Sequence, residues 1–247
     1  QMRKILSIFI VLLFVVPATL TFAGATEEVV EEVAVTSSFE GMTAIDRSKG
    51  WEIGKKGGRF VMSSFGSDPK SFNYAVAKET STTDITAQMY SAAFKRNQFT
   101  LEWELSLAES YTLSADEKIL TVKLMDGLKW SDGEDFTAED VVFTINEIHM
   151  VDETGSRYKS GLFVGDDPTV WELVDELTFK ITFPTVYADP LSMASTLYYP
   201  EHIFAPLIAS EGAAAVASFW GVDTDVTEVV GNGPFVIKEY VPNQYVS

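Results

Sequence analysis

Between Leu177 and Phe183 the side chains alternate without a break: Leu177, Phe179, Ile181 and Phe183 fall on one face, Thr178, Lys180 and Thr182 on the other. Successive side chains of an extended chain point to opposite faces, so this stretch can bury one face only and predicts a half-buried strand. Ile119 to Leu124 alternates in the same way around Leu120, Val122 and Leu124. A different period begins at Phe136-Thr137-Ala138-Glu139-Asp140-Val141. Thr137 stands where a helix cap belongs, the acids fall in the positively polarised first turn, and Phe136 and Val141 have the spacing of a hydrophobic staple. Apolar positions then continue at Val142, Ile145 and Ile148. A chain that switches between these two periods predicts a mixed α/β protein.

Further elements follow from local signals. Gly57-Gly58 leads into Arg59 to Phe65, which reads as a strand closed by Gly66, Asp68 and Pro69. Ser81 precedes Asp84 by three residues, a capping-box spacing ahead of Ile85, Gln88, Met89, Ala92 and Ala93, and predicts a helix from Thr82 to Phe94. Pro200 is placed for the first turn of another helix, with Ile203 and Phe204 inward. Gly231 to Pro234 reads as a turn feeding a strand from Phe235 to Tyr240.

The start of the chain concerns compartment rather than fold. Arg3 and Lys4 precede an apolar run from Ile5 to Val16, and small residues stand at Ala23 and Ala25, so residues 1–25 read as a secretory signal peptide. The apolar run is too short to cross roughly 30 Å of hydrocarbon. With no cysteine to carry a lipid, the mature protein is expected to be exported and unanchored, in the periplasm or otherwise extracytoplasmic. Residues 26–56 hold Glu27, Glu28, Glu31 and Glu32 without a sustained period and read as a flexible acidic linker.

Composition removes several classes of function. A net charge of −18 over 247 residues opposes nucleic-acid binding, which depends on Lys and Arg patches. Zero cysteines exclude disulfides, thiol nucleophiles and thiolate-held metals. The two histidines, His149 and His202, have no ligand-like spacing and read as structural or surface groups. G-x-S-x-G, Walker, G-x-G-x-x-G and HExxH motifs are missing, so the expectation is no enzyme, no cofactor and no metal. Asp132, Glu134 and Asp135 lack the order of a calcium loop, and a turn followed by a helix start accounts for them. Trp130, Trp171 and Trp220 suit a core as well as a ligand surface.

Longer motifs point to a family. Ser67-Asp68-Pro69-Lys70-Ser71-Phe72-Asn73 resembles an S-x-P-x-x-L-(D/N)-P segment, with Tyr74 in place of its final proline. Leu107-Ala108-Glu109-Ser110-Tyr111 resembles LAESW. Asp126-Gly127-Leu128-Lys129-Trp130-Ser131-Asp132-Gly133, followed by Phe136-Thr137-Ala138-Glu139-Asp140-Val141-Val142-Phe143, is similar to R-x-G-V-K-W-x-D-G-x-P-F-T-A-E-D-V-V-F. Gly231-Asn232-Gly233-Pro234-Phe235 resembles a later G-T-G-P-Y turn. In this order the motifs resemble the family 5 extracytoplasmic solute-binding proteins of ABC importers, the oligopeptide, dipeptide and nickel binders.

The resemblance implies a periplasmic-binding-protein type II-like clamshell, of which this chain is an N-terminal fragment: the first lobe with its inserted subdomain, the second lobe absent. Residues 57–91 and 185–247 would then belong to an incomplete lobe I, and 92–184 to the inserted subdomain. It further implies capture of a peptide-like solute between two lobes and delivery to ABC permease subunits in the membrane, by a monomer, with no nucleic acid involved. The ligand contacts it implies are Thr80, Ser81 and Thr82, within Lys78-Glu79-Thr80-Ser81-Thr82, and Tyr158, within Ser156-Arg157-Tyr158-Lys159-Ser160-Gly161-Leu162. Helix capping competes for the Ser81 hydroxyl and simple packing competes for Tyr158. Few histidines argue against nickel. An oligosaccharide-binding member, an exported hydrolase using the acids near Asp132, and a binding protein serving a chemoreceptor stay open as alternatives.

Overall fold

The computed structural model describes residues 57–63 and 67–247. The signal peptide and acidic linker expected at 1–25 and 26–56 lie outside the described residues. Helix α1 (Thr80–Thr86) runs on as a 3-10 turn to Met89, and two short strands, β1 (Phe94–Arg96) and β2 (Trp103–Leu105), pair antiparallel after it. The main sheet comes next. Strands β3 (Ala108–Leu113) and β4 (Ile119–Leu124) form a hairpin, and helix α2 (Ala138–Phe143) follows. A two-stranded ribbon, β5 (Phe163–Val164) with β6 (Asp167–Pro168), leads to β7 (Val170–Asp175) and β8 (Thr178–Thr182). Helices α3 (Pro190–Met193) and α4 (Glu201–Glu211) precede the closing ribbon of β9 (Tyr240–Val241) and β10 (Tyr245–Val246).

The four-stranded sheet has the order β3-β4-β8-β7, antiparallel throughout. Its register follows the alternation in the sequence: Leu120 faces Ile181 and Val122 faces Phe179, with all four side chains buried. Trp171 opposite Ile181 extends that face, its ring stacked on Phe179 at 5.6 Å. On the solvent side Lys123 pairs with Glu109 and Lys180 with Glu172, as a half-wet antiparallel sheet requires.

Helix α2 covers the apolar face. The Glu139 N–H donates to Thr137 Oγ1 and the Thr137 N–H to Asp140 Oδ2, a complete capping box, while Ala138 and Val141 turn inward. From Thr144 to His149 the helix widens to π geometry, and Ile145, Ile148 and His149 are buried there. Tyr199 donates its N–H to Thr144 Oγ1 at 2.8 Å, so this wide turn is tied to the segment entering α4. Trp130, Trp171 and Trp220 all sit in the core.

Several sequence expectations change. The helix expected from Thr82 to Phe94 begins at Thr80 and ends at Met89, and Phe94 opens a strand. Its cap is not Ser81: the residue before the helix is Glu79, and the Ser81 hydroxyl donates to the Asp68 carbonyl. Pro200 caps α4 from outside its first turn, with Phe204 fully buried and Ile203 half-buried. Arg59–Ser63 forms no strand, and in Phe235–Tyr240 backbone pairing begins only towards the end, where the Lys238 and Glu239 N–H groups donate to the Ser247 carbonyl and Ser247 donates back to Glu239, so the strand shortens to Tyr240–Val241. Phe60 and Phe235 stay in water, at 85% and 61% exposure, whereas Ile237 turns into the core.

Candidate functional site

Asn73 is a buried anchor. Its side-chain amide donates to the Val216 carbonyl at 2.8 Å, and its Oδ1 accepts the Ala75 N–H at 3.0 Å, closing a local turn that holds up Tyr74. A second turn meets it. Gly155, at φ 69°, ends the 3-10 turn Asp152–Thr154 in the left-handed region, where a side chain would be strained. The Thr154 hydroxyl lies within bonding distance of the Ile148 and Val151 carbonyls, at 2.6 and 2.8 Å, and so folds the chain back over the π turn. Ser156, Arg157 and Tyr158 emerge from this fold, and the Arg157 N–H donates to the Ala75 carbonyl at 3.2 Å.

The side chains then gather. Tyr158 stacks on Tyr74 with centroids 6.1 Å apart and lies 4.8 Å from the His149 ring. The Arg157 guanidinium carbon stands 4.5 Å from the Tyr74 centroid and 4.9 Å from that of Tyr158, and Nη2 donates to the Tyr158 hydroxyl at 2.8 Å. Behind them Tyr199 meets His149 edge-on at 5.7 Å and Tyr90 at 5.5 Å. Burial pushes the Tyr90, Tyr158 and Tyr199 hydroxyls above their ordinary range, so they act as neutral donors. Burial also lowers the His149 pKa to about 4, leaving the ring neutral, with Nδ1 2.7 Å from Ser156 Oγ. An open concavity of about 480 Å³ follows directly in the chain, lined by Lys159, Ser160, Phe163, Gly165 and Asp166.

Thr80, Ser81 and Thr82 occupy the first turn of α1. Thr80 is exposed; Ser81 is half-buried and bonded to Asp68; Thr82 is fully buried, donating to Glu79 and accepting the Lys70 N–H at 3.2 Å. No hydrogen bond or ring contact joins these three to Tyr158 among the described residues; the chain from Tyr74 to Glu79 connects them. Sequence reasoning singled out Tyr158 and passed over Tyr74, Arg157 and His149. Tyr74 was visible as the departure from the motif's proline, whereas nothing local signals that Arg157 would lie across two tyrosine rings.

The acids near Asp132 are accounted for locally. Asp132 Oδ2 lies 2.7 Å from His202 Nε2, Asp132 Oδ1 accepts the Glu134 N–H, and Asp135 pairs with Lys129. Among the described residues no group of His, Cys, Asp and Glu is arranged to hold a metal ion, and no helix is long and apolar enough to cross a membrane.

Residues 102–247, which include Arg157 and Tyr158, match the family model of bacterial extracellular solute-binding proteins, family 5 (middle region). The chain belongs to this family. This family 5 chain is 31% identical over 198 residues to the oligopeptide-binding protein AppA of Bacillus subtilis, covering 78% of its own length and 33% of AppA. Its fold is similar to that of the ABC transporter substrate binding protein CtaP of Listeria monocytogenes, with a TM-score of 0.58, 32% identity, and coverage of 73% and 34% of the two chains. The structure of AppA from Bacillus subtilis in complex with a nonapeptide matches with a TM-score of 0.58 at 25% identity, again over 73% and 34%. The mixed α/β architecture is thus that of the solute-binding proteins, and the family 5 chain spans about a third of the length of these relatives.

Proposed function

We propose that this protein is the extracytoplasmic solute-binding component of an ABC importer, taking a peptide-like solute between two lobes and handing it to a membrane permease. The observation that carries this reading is the partly exposed wall of Tyr74, Arg157 and Tyr158 in a chain of this family. Aromatic faces with a few fixed polar groups suit a solute that alternates apolar side chains with backbone carbonyls. Family 5 relatives named for oligopeptide binding, one of them holding a nonapeptide, support the solute class.

In this reading residues 57–91 and 185–247 serve as the first lobe and 92–184 as its inserted subdomain. Thr80 offers an exposed hydroxyl, Ser81 and Thr82 hold the turn that presents it, and Tyr158 supplies an aromatic face. Ligand binding favours the closed arrangement through its higher affinity for that state, and the permease recognises the closed shape. The protein works as a monomer, is exported by a cleaved signal peptide, and performs no covalent chemistry.

Isothermal titration of the protein with both lobes present, using peptides from dipeptide to nonapeptide length and a malto-oligosaccharide as the contrast, tests the reading. Saturable binding of peptides, weakened about tenfold or more by Tyr158→Ala, is expected. Binding of the sugar alone, or turnover of any of these compounds, overturns it.

A further inference from the structure

Arg157 is a cation without an acid. The chain carries 36 acidic residues against 18 Lys and Arg, and the lysines at 95, 123, 129, 159 and 180 each reach a carboxylate. No carboxylate lies within ion-pair distance of the Arg157 guanidinium among the described residues. Lys70, Lys78 and Lys238 likewise reach no carboxylate among the described residues; what sets Arg157 apart is that it is half-buried and lies between two tyrosine rings.

Its donors are mostly unspent. A guanidinium has five N–H groups in a planar fork that fits a carboxylate in two-pronged fashion. Here Nη2 reaches the Tyr158 hydroxyl, the Tyr74 hydroxyl stands beside the group, and Nε is buried with no partner. The two tyrosine rings, 4.5 and 4.9 Å from the guanidinium carbon, hold the plane of the fork but take none of its protons. Burial works against the charge, yet contact with Tyr158 and Tyr74 more than offsets it and the pKa is raised, so the guanidinium stays charged.

Neighbouring groups share the imbalance. Ser156 Oγ accepts the Tyr158 N–H at 3.3 Å and lies 2.7 Å from His149 Nδ1. The Tyr199 hydroxyl is buried without a hydrogen-bond partner. Arg157 Nε and the Tyr199 hydroxyl thus leave donors unmatched in the cluster around Tyr158, and the one charge in it is positive. Buried donors are ordinarily paired.

We propose that Arg157, steadied between Tyr74 and Tyr158, is the subsite that takes a carboxylate of the solute, so that the protein prefers solutes bearing a free carboxylate. The proposal rests on the solute-binding reading and adds to it the charge of the group bound at this end. A peptide with a free C-terminus satisfies it and the same peptide as its C-terminal amide does not. Lysine at this position would keep the charge but lose the planar fork and its fit to the rings.

The experiment follows the Nε–H signal of Arg157 in the 15N spectrum of the protein, assigned by its loss in Arg157→Lys. The probes are trialanine, trialanine amide and sodium phosphate, with calorimetry run in parallel on the parent, Arg157→Lys and Arg157→Gln and circular dichroism confirming that the variants fold. A saturable Nε shift with trialanine, little or none with the amide or phosphate, and at least a tenfold loss of trialanine affinity in both variants is the expected result. Equal binding of trialanine and its amide by parent and variants overturns the carboxylate subsite while leaving the solute-binding reading intact. A shift with phosphate alone also overturns it. Failure of every peptide to bind overturns both.

Discussion

Asp140 joins the starts of two helices: its Oδ1 accepts the backbone N–H of Glu201 at 2.9 Å, while its Oδ2 accepts the N–H of Thr137 at 2.9 Å. Burial raises its pKa and the two N–H bonds pull the other way. One side chain therefore caps α2 and fixes where α4 begins, placing Phe204 in the core and the Tyr199 segment against the π turn.

Removing that carboxylate strands two polar hydrogens near the core. Asp140→Ala is expected to lower unfolding stability by about 2 kcal/mol, with Asp140→Asn falling between because one acceptor survives. Urea denaturation measures this, and an alanine variant as stable as the parent would remove the clamp from the account.

His149 makes stability depend on pH in a stated direction. Its folded pKa of about 4 lies below the ordinary value of 6.5 because burial penalises the charged ring. The unfolded chain takes up a proton first as pH falls, so this contribution is complete above pH 6.5 and is lost between 6.5 and about 4, amounting to about 3 kcal/mol. Relative to the parent, His149→Gln should show a shallower fall of Tm over that window; parallel profiles would refute the assignment.

Gly231 and Gly233 are needed for close approach rather than for backbone freedom. A Cβ at Gly231 would stand 2.2 Å from the Met89 carbonyl oxygen, and one at Gly233 would stand 2.6 Å from the Tyr90 nitrogen. Around them the Gly233 N–H donates to the Met89 carbonyl at 2.7 Å, and Asn232 exchanges hydrogen bonds with the Ser91 backbone. Gly231→Ala should cost about 2 kcal/mol or more, because backbone rather than a movable side-chain tip must yield. Chemical denaturation reads the loss.

Thr80 and Thr82 separate ligand contact from scaffold. Thr82 is buried between Glu79 and Lys70, so Thr82→Ala should lower stability by about 1 kcal/mol. Thr80 is exposed, and Thr80→Ala should leave stability within about 0.5 kcal/mol while weakening peptide affinity. Thermal melts beside calorimetric titration distinguish the two, and unchanged peptide binding in Thr80→Ala would strike Thr80 from the site.

Local patterns were legible where the controlling interactions span only a few residues. The alternation from Leu177 to Phe183 sets which side chains share a face, and β8 is found there with Phe179 and Ile181 inward. Thr137 and Asp140 close their capping box within three residues, and the family motifs are spelled out in order along the chain. Long-range partners settled everything else. Ser81 gives its hydroxyl to Asp68 instead of capping, and Phe235–Ile237 forms no ladder among the described residues despite its strand-like composition. Tyr74, His149, Arg157 and Tyr158 meet because a buried Asn73, a π turn and a left-handed Gly155 bring separate turns together. Periodicity encodes the face a residue occupies, whereas the neighbour across that face depends on how distant segments pack, and only the folded chain specifies it.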